Sequence, residues 1–272
     1  MTEPVSKNFL STLANGLAVI SAFTDGPGEM TVSEVARRID LSRASARRIL
    51  LTLQELGYVS ANGRMFALKP AVLNLGYAYL SGLNWLGYAQ NELGALAPRL
   101  GNPCSAAILD GTDAVYVVRI NPEPWNRVTM SISVGQRFPA YVTAFGRVLL
   151  FDRSDRELSQ FLTESPIERL TSATLIEPEK IKKRIRADAE QGYSFVMNEL
   201  TLGVCSLAVP LRDATGEIFA SVGVGWVTAT ASPQNTRDEA LPALQETAQA
   251  IRQALLQINF CANPGKRRSG TI

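Results

Sequence analysis

Residues 31–64 read TVSEVARRIDLSRASARRILLTLQELGYVSANGR, and their reading decides the fold of the N-terminal part. Thr31-Val32-Ser33-Glu34 is a capping box, in which a hydroxyl and a carboxylate three residues apart satisfy each other's exposed amides at a helix start. Val35, Ala36 and Ile39 carry that helix for about two turns. Asp40-Leu41 turns the chain, Ser42 caps a longer helix to Leu56, and Gly57 sits just past its end. Asn62-Gly63, between the strand-like runs 58–61 and 64–69, predicts a hairpin. Upstream, Phe9, Leu13, Leu17 and Ile20 recur one helical turn apart within residues 5–24, before the stop signal Asp25-Gly26-Pro27-Gly28. Helix, short helix, turn, helix and hairpin make a winged helix-turn-helix.

The longer helix predicts two faces. Leu41, Ala46, Ile49, Leu50, Leu53 and Leu56 pack inward, while Arg43, Ser45, Arg47, Arg48 and Thr52 point away, with the cations in the first two turns. A recognition helix meets base edges and phosphates with that end, and small Ala44 and Ser45 permit close approach. Three arginines on a helix are also what a plain solvated face looks like; the capped short helix, turn and wing favour DNA. Residues 1–75 hold eight Lys/Arg against six Asp/Glu, and seven of the eight cations fall between 37 and 69. The candidate DNA contacts are Thr31, Ser33, Ser42, Arg43, Ala44, Ser45, Arg47, Arg48, Thr52, Asn62, Gly63 and Arg64.

The whole chain has 272 residues, 27 Lys+Arg, 25 Asp+Glu, three Cys and no His. That length suits about two domains, and 46% hydrophobic with 19% charged residues suits a globular protein. Without histidine, Ser-His-Asp and Cys-His catalysis and His metal sites are excluded. Cys104, Cys205 and Cys261 are too far apart in sequence for a zinc cluster, no cofactor is implied, and their scarcity fits a reducing compartment. No stretch reads as a signal peptide or an uninterrupted apolar span, so a cytoplasmic protein without membrane contact is expected. An enzyme on the C-terminal part is the remote alternative, because Walker A, G-x-S-x-G and a complete G-x-G-x-x-G are all missing.

From Pro70, helices are expected over 71–81 and about 84–100. Strands over 104–109, 114–120, 127–134, 193–198, 204–211 and 218–228 then alternate with helices near 143–152, 154–163, 178–191 and 234–259. The fold class is α+β, with a DNA-binding domain at 1–70, a helical linker at 71–92, a mixed α/β domain at 93–261 and a polar tail at 262–272 that is expected to be disordered. If 212–217 is a hairpin turn, Ser206 faces Gly223 and Ala208 faces Ser221, giving a strip of small side chains. Such a strip either receives a ligand or lets another backbone pack closely. Thr143 caps a helix whose first amides, on Ala144, Phe145 and Gly146, are placed for a carboxylate. Tyr141 and Phe145 either enclose a ring or belong to the core. Arg119 alternates with Val115 and Val117, opposite Tyr116, Val118 and Ile120. It either forms an internal ion pair, for example with Glu199, or binds an effector carboxylate. Arg127 shares a face with Thr129, Ser131 and Ser133, which suits either solvent or an effector.

These stretches, from about residue 7 to 259, resemble IclR-type transcriptional regulators. The likeness is carried by 17–23 (LAVISAF), 31–36 (TVSEVA), 42–53 (SRASARRILLTL), 109–111 (LDG), 134–141 (VGQRFPAY) and 146–150 (GRVLL). The arginine run and 137–141 are most similar to the branch controlling aromatic-acid catabolism, the protocatechuate, 4-hydroxybenzoate and catechol operons. The resemblance implies a homodimer, often paired into a tetramer, reading pseudo-palindromic double-stranded operator DNA. It implies a linker helix near 71–81 that pairs the modules, against the alternative of an internal core helix, and a GAF-like domain that binds a small carboxylate effector. Family effectors occupy positions corresponding to Ser206, Gly223 and Gly225. The glycines, where many members have hydroxyls, suit a bulkier or less polar acid, aromatic or derived from ring cleavage. Ser221 shares that surface. A regulator whose C-terminal domain serves assembly alone is the rival reading.

Overall fold

The computed structural model describes residues 8–24, 26–123, 132–229 and 232–262. The chain divides into two compact units, residues 1–82 and 83–272.

In the first unit, α1 (Ser11–Ser21) precedes β1 (Glu29–Thr31), α2 (Val32–Arg38), α3 (Arg43–Glu55), β2 (Val59–Asn62), β3 (Met65–Leu68) and α4 (Leu73–Leu80). The capping box forms as read: the Thr31 amide donates to the Glu34 carboxylate at 2.7 Å and the Glu34 amide to the Thr31 hydroxyl at 3.3 Å. Asp40 makes the turn between α2 and α3 with φ +51°, a left-handed conformation that Asp tolerates. Val19, Met30, Val35, Ala46, Leu50 and Phe66 lie in its core.

Three expectations change. The stripe Phe9, Leu13, Leu17 that marked the first helix is exposed, and Val19 is the residue of α1 that is buried. Leu56, assigned inward, is also exposed, because the helix ends at Glu55 and Leu56 lies just past it. The hairpin pairs Asn62 with Met65, so its central residues are Gly63-Arg64, one later than expected, with Gly63 at φ +61° as the first turn residue demands. β1, which no pattern announced, adds a third strand in the order β1-β3-β2.

The second unit runs α5 (Leu86–Leu100), β4 (Cys104–Asp110), β5 (Asp113–Ile120), β6 (Arg137–Pro139), α6 (Ala144–Leu149), α7 (Asp155–Glu164), α8 (Pro178–Gln191), β7 (Ser194–Met197), β8 (Val204–Arg212), β9 (Ile218–Val227) and α9 (Pro233–Gln257). Its antiparallel sheet has the order β6-β5-β4-β9-β8-β7, with α5 and α9 packed against each other and the sheet, and α6 against β8, β9, β4 and β7. Of the expected strand over 127–134, residues 127–131 lie outside the described residues. Residues 132–136 form a turn around Gly135 (φ +89°), and the strand begins at Arg137 instead.

Two bulges alter the faces read from the sequence. Leu211 pairs with Ala220 but Arg212 with Ile218, so Phe219 is an extra residue in β9. Ser206 faces Gly225, Ala208 faces Gly223 and Pro210 faces Ser221: a shift of two that keeps residues 220–227 on their expected sides, while Ile218, paired with Arg212 beyond the bulge, moves to the side of Ala208. In β5 the extra residue is Val117, since Ala106 pairs with Val118 and Ala107 with Tyr116. Tyr116 thereby joins Arg119 on one face instead of opposing it.

The small-residue strip spans four strands, with Ser105, Gly223, Ala208 and Ser194 side by side. A Cβ at Gly223 would collide with the Leu207 carbonyl oxygen and approach Phe145 Cζ to 2.8 Å; one at Gly146 would collide with the backbone of Ala140. The strip thus seats α6. Gly146→Ala and Gly223→Ala should each lower the urea unfolding free energy by about 1–3 kcal/mol. Gly225→Ala, whose new methyl meets nothing nearer than 3.7 Å, should stay within about 0.5 kcal/mol of the parent.

Candidate functional site

The exposed side of α3 divides between two clefts. Arg43 and Arg47, four residues and one turn apart, face a cleft of about 520 Å³ shared with Thr31, Ser33, Gly63 and Arg64. No acidic residue lines it, and Arg43, Arg47, Arg48 and Arg64 have no ion-pair partner among the described residues. Ser45, Arg48 and Thr52 instead border a mostly apolar cleft of about 590 Å³ against Leu10, Leu13, Leu17 and Ile20 of the α1 region. Ser42 is used locally: its hydroxyl accepts from the Ser45 amide at 3.1 Å and donates to the Ser45 hydroxyl at 2.9 Å. Thr52 likewise donates to the Arg48 carbonyl. Ala44 and Asn62 are exposed.

In the second unit, a cavity of about 40 Å³ lies beside α6, lined among others by Tyr116, Arg119, Ile132, Thr143, Phe145, Glu199, Leu200, Ser206 and Gly225. Space of that size holds water. Arg119 donates to the Ser105 hydroxyl at 3.3 Å, and its buried Nε–H has no acceptor. No carboxylate pairs with it among the described residues; burial holds its pKa below the usual guanidinium range, against the smaller opposing pull of Tyr116 and Cys104. Burial pushes the Tyr116 phenol up, so it remains a neutral donor. Burial also raises the Cys104 thiol to about 12 and that of Cys205 to about 11, which leaves neither as a thiolate nucleophile at neutral pH.

The expected Arg119–Glu199 pair is not made. Glu199 is claimed by Arg147, a fully buried residue the sequence reading passed over: Nη2 to Oε2 is 2.7 Å, and Arg147 Nε donates to the Tyr141 carbonyl at 2.8 Å. The Leu175 amide donates to the same Glu199 oxygen at 3.3 Å. The Thr174 hydroxyl holds the Glu199 carbonyl at 2.7 Å, and the Thr171 hydroxyl holds that of Asn198 at 2.6 Å. Of the three α6 amides expected to meet a carboxylate, that of Gly146 is spent on the Thr143 hydroxyl at 3.0 Å, and Gly146 serves close packing. Tyr141 is core, its hydroxyl donating to the Glu168 carbonyl and accepting from the Glu168 amide. Tyr141, Ala144, Gly146, Ser221 and Gly223 are not among the cavity-lining residues. Arg127 lies outside the described residues.

Two family profiles cover this architecture: "IclR helix-turn-helix domain" over residues 12–63 and "Bacterial transcriptional regulator IclR C-terminal" over 77–253. The chain belongs to the IclR family. It is similar to the Pca regulon regulatory protein of Pseudomonas putida, 35% identical over 237 residues, covering 87% of this chain and 81% of that protein. The solved structure of a transcriptional regulator from Rhodococcus sp. RHA1 superposes with TM-score 0.80 at 41% identity, over 92% of this chain and all of that one. The inducer-binding domain of PobR from Acinetobacter, a double mutant in complex with 3-hydroxybenzoic acid, is 30% identical with TM-score 0.57, over 60% of this chain and 95% of that one. As an IclR-family member the chain is a transcriptional regulator with a DNA-binding helix-turn-helix domain. No helix among the described residues is long and apolar enough to cross a membrane.

In this IclR-type unit Arg147 and Glu199 depend on each other. Arg147→Met should cost about 3–5 kcal/mol by urea unfolding, because it strands a buried carboxylate. The double variant Arg147→Met/Glu199→Met should recover most of that loss, since it removes both charges together.

Proposed function

We propose that this regulator binds double-stranded operator DNA as a homodimer, or as a pair of dimers, under the control of a small carboxylate, aromatic or derived from ring cleavage. The observation that carries the effector reading is Arg119: a cation against a cavity, with no anionic partner among the described residues and a buried N–H lacking an acceptor. An incoming carboxylate supplies both. The similar Pca regulon regulator and the PobR domain with bound 3-hydroxybenzoic acid support an aromatic or ring-derived acid. Phe145, Thr143, Ser206 and Gly225 furnish the remaining wall. An acid larger than the present 40 Å³ must displace the Leu200 or Ile132 side chain, and that displacement is how binding biases one conformation over another.

For DNA, Arg43, Arg47 and Arg64 face one cleft and are the proposed phosphate and base contacts; Arg48, Ser45 and Thr52 flank it on the α1 side. Self-association is supported by α4, which has no buried residue although it exposes Leu73, Leu75, Tyr77 and Tyr79.

The test is fluorescence anisotropy on duplexes from the gene's upstream region, with a scrambled control and with protocatechuate or cis,cis-muconate added. Specific binding shifted about 5–150-fold by an acid is the expected outcome, corresponding to ~1–3 kcal/mol of coupling. Arg43→Ala/Arg47→Ala should abolish the preference over scrambled DNA. Arg119→Met should leave DNA affinity intact but remove both the acid response and the thermal stabilisation by the acid. An acid response retained in Arg119→Met would overturn the effector site. Leu73→Glu/Tyr77→Glu should shift the light-scattering mass from dimer toward monomer; an unchanged dimer would remove α4 from the interface.

A further inference from the structure

Resting on the effector cavity proposed above, the selectivity of that cavity follows from its second charged wall. Glu199 is buried to 8% exposure and lines the same space as Arg119. Its two carboxylate oxygens are used unequally. Oε2 accepts from Arg147 Nη2 and from the Leu175 amide, whereas Oε1 has no hydrogen-bond partner among the described residues. Its backbone is fixed as well: the hydroxyls of Thr171 and Thr174 hold the carbonyls of residues 198 and 199, and Asn198 (φ +64°) takes the Gly203 amide on its side-chain oxygen. The carboxylate is therefore held in place and cannot swing toward Arg119 without breaking its pair with Arg147.

This leaves a cavity with one unpaired cation and one anion already matched. A ligand that cancels the charge carries one carboxylate. A second carboxylate facing Glu199 would place two acceptor-only anions against each other in a largely buried site, where like charges repel more strongly than in bulk water. A hydroxyl there can donate to the Glu199 carboxylate, a charge-assisted bond of the stronger kind.

We propose that Glu199 is the specificity-determining residue of the effector site: it selects a monocarboxylate bearing a hydroxyl at the end remote from Arg119 and rejects a dicarboxylate of the same length. Arg147 acts as a positioning residue that keeps Glu199 aimed.

Isothermal titration calorimetry on the full chain tests this with two matched pairs, 4-hydroxybenzoate against terephthalate and 6-hydroxyhexanoate against adipate. The hydroxy acid of at least one pair should bind at least tenfold tighter than its dicarboxylate partner. Glu199→Gln, shown to be folded by its urea transition, should narrow that gap to less than threefold, because the neutral amide also donates to a carboxylate. Should Glu199→Gln fail to fold, the charge-free double variant Arg147→Met/Glu199→Met replaces it with the same expected loss of preference. A dicarboxylate that binds the parent chain as tightly as its hydroxy partner, or a preference unchanged in the Glu199 variant, overturns the role of Glu199. If such binding still needs Arg119, the effector reading stands alone. If none of the four acids binds, this inference falls, and the effector reading is decided by protocatechuate and cis,cis-muconate in the anisotropy assay.

Discussion

Where α6 lies over β8 and β9, two glycines leave it the room it needs. Glycine at 146 lets the helix pass over Ala140, and glycine at 223 lets the Phe145 ring rest on the strand below. The approach is possible because the row of residues beneath the helix, from Ser105 across to Ser194, is small on four adjacent strands. With α6 so low, the sheet face has little unfilled volume, and what remains lies beyond the helix start, next to Ser206 and Gly225. The position and size of the cavity are consequences of how closely one short helix is allowed to pack.

The charges around that cavity follow the same economy. Arg147 rides on α6 itself, fully buried, and its guanidinium fixes Glu199 from inside the core. Nearby, burial pushes the Asp188 carboxyl up, an effect opposed by the Ser194 hydroxyl and by Arg184 and Arg147. Arg119, by contrast, donates to the Ser105 hydroxyl and has no anion beside it among the described residues. A protein interior rarely leaves a cation in that condition, because desolvation without a compensating partner is costly. The contrast between the two arginines separates structural charge from charge held for something else.

The N-terminal unit was largely legible because its signals are local. A capping box, a turn residue and a hairpin glycine act within four residues of themselves, so Thr31, Glu34, Ser42 and Gly63 mean in the fold what they mean in the sequence. What the sequence could not show there was which apolar stripe faces inward, since Leu13 and Val19 are equally hydrophobic and only tertiary packing distinguishes them. In the C-terminal unit the order of strands and helices could be read, and the small strip could be seen, but not its occupant. The partner of Glu199 was missed because Arg147 lies 52 residues away on a helix whose every residue is buried, and no periodicity marks it. β1 is three residues long, too short for any alternation to register.

The bulge at Val117 has a meaning in the language of insertion and deletion. Strand β5 carries one residue more than its partner needs, and the surplus turns everything N-terminal to it over by half a repeat. Giving β4 one more residue, between Ala106 and Ala107, would pair that surplus. It would leave Arg119 where it is, turn Tyr116 out of the cavity and bring Val117 in, replacing a phenol with an isopropyl group. A receptor of this design can exchange one wall of its pocket through a change in chain length at a site that never touches the ligand. Two relatives with the same side chains and a different count between β4 and β6 would then read different molecules.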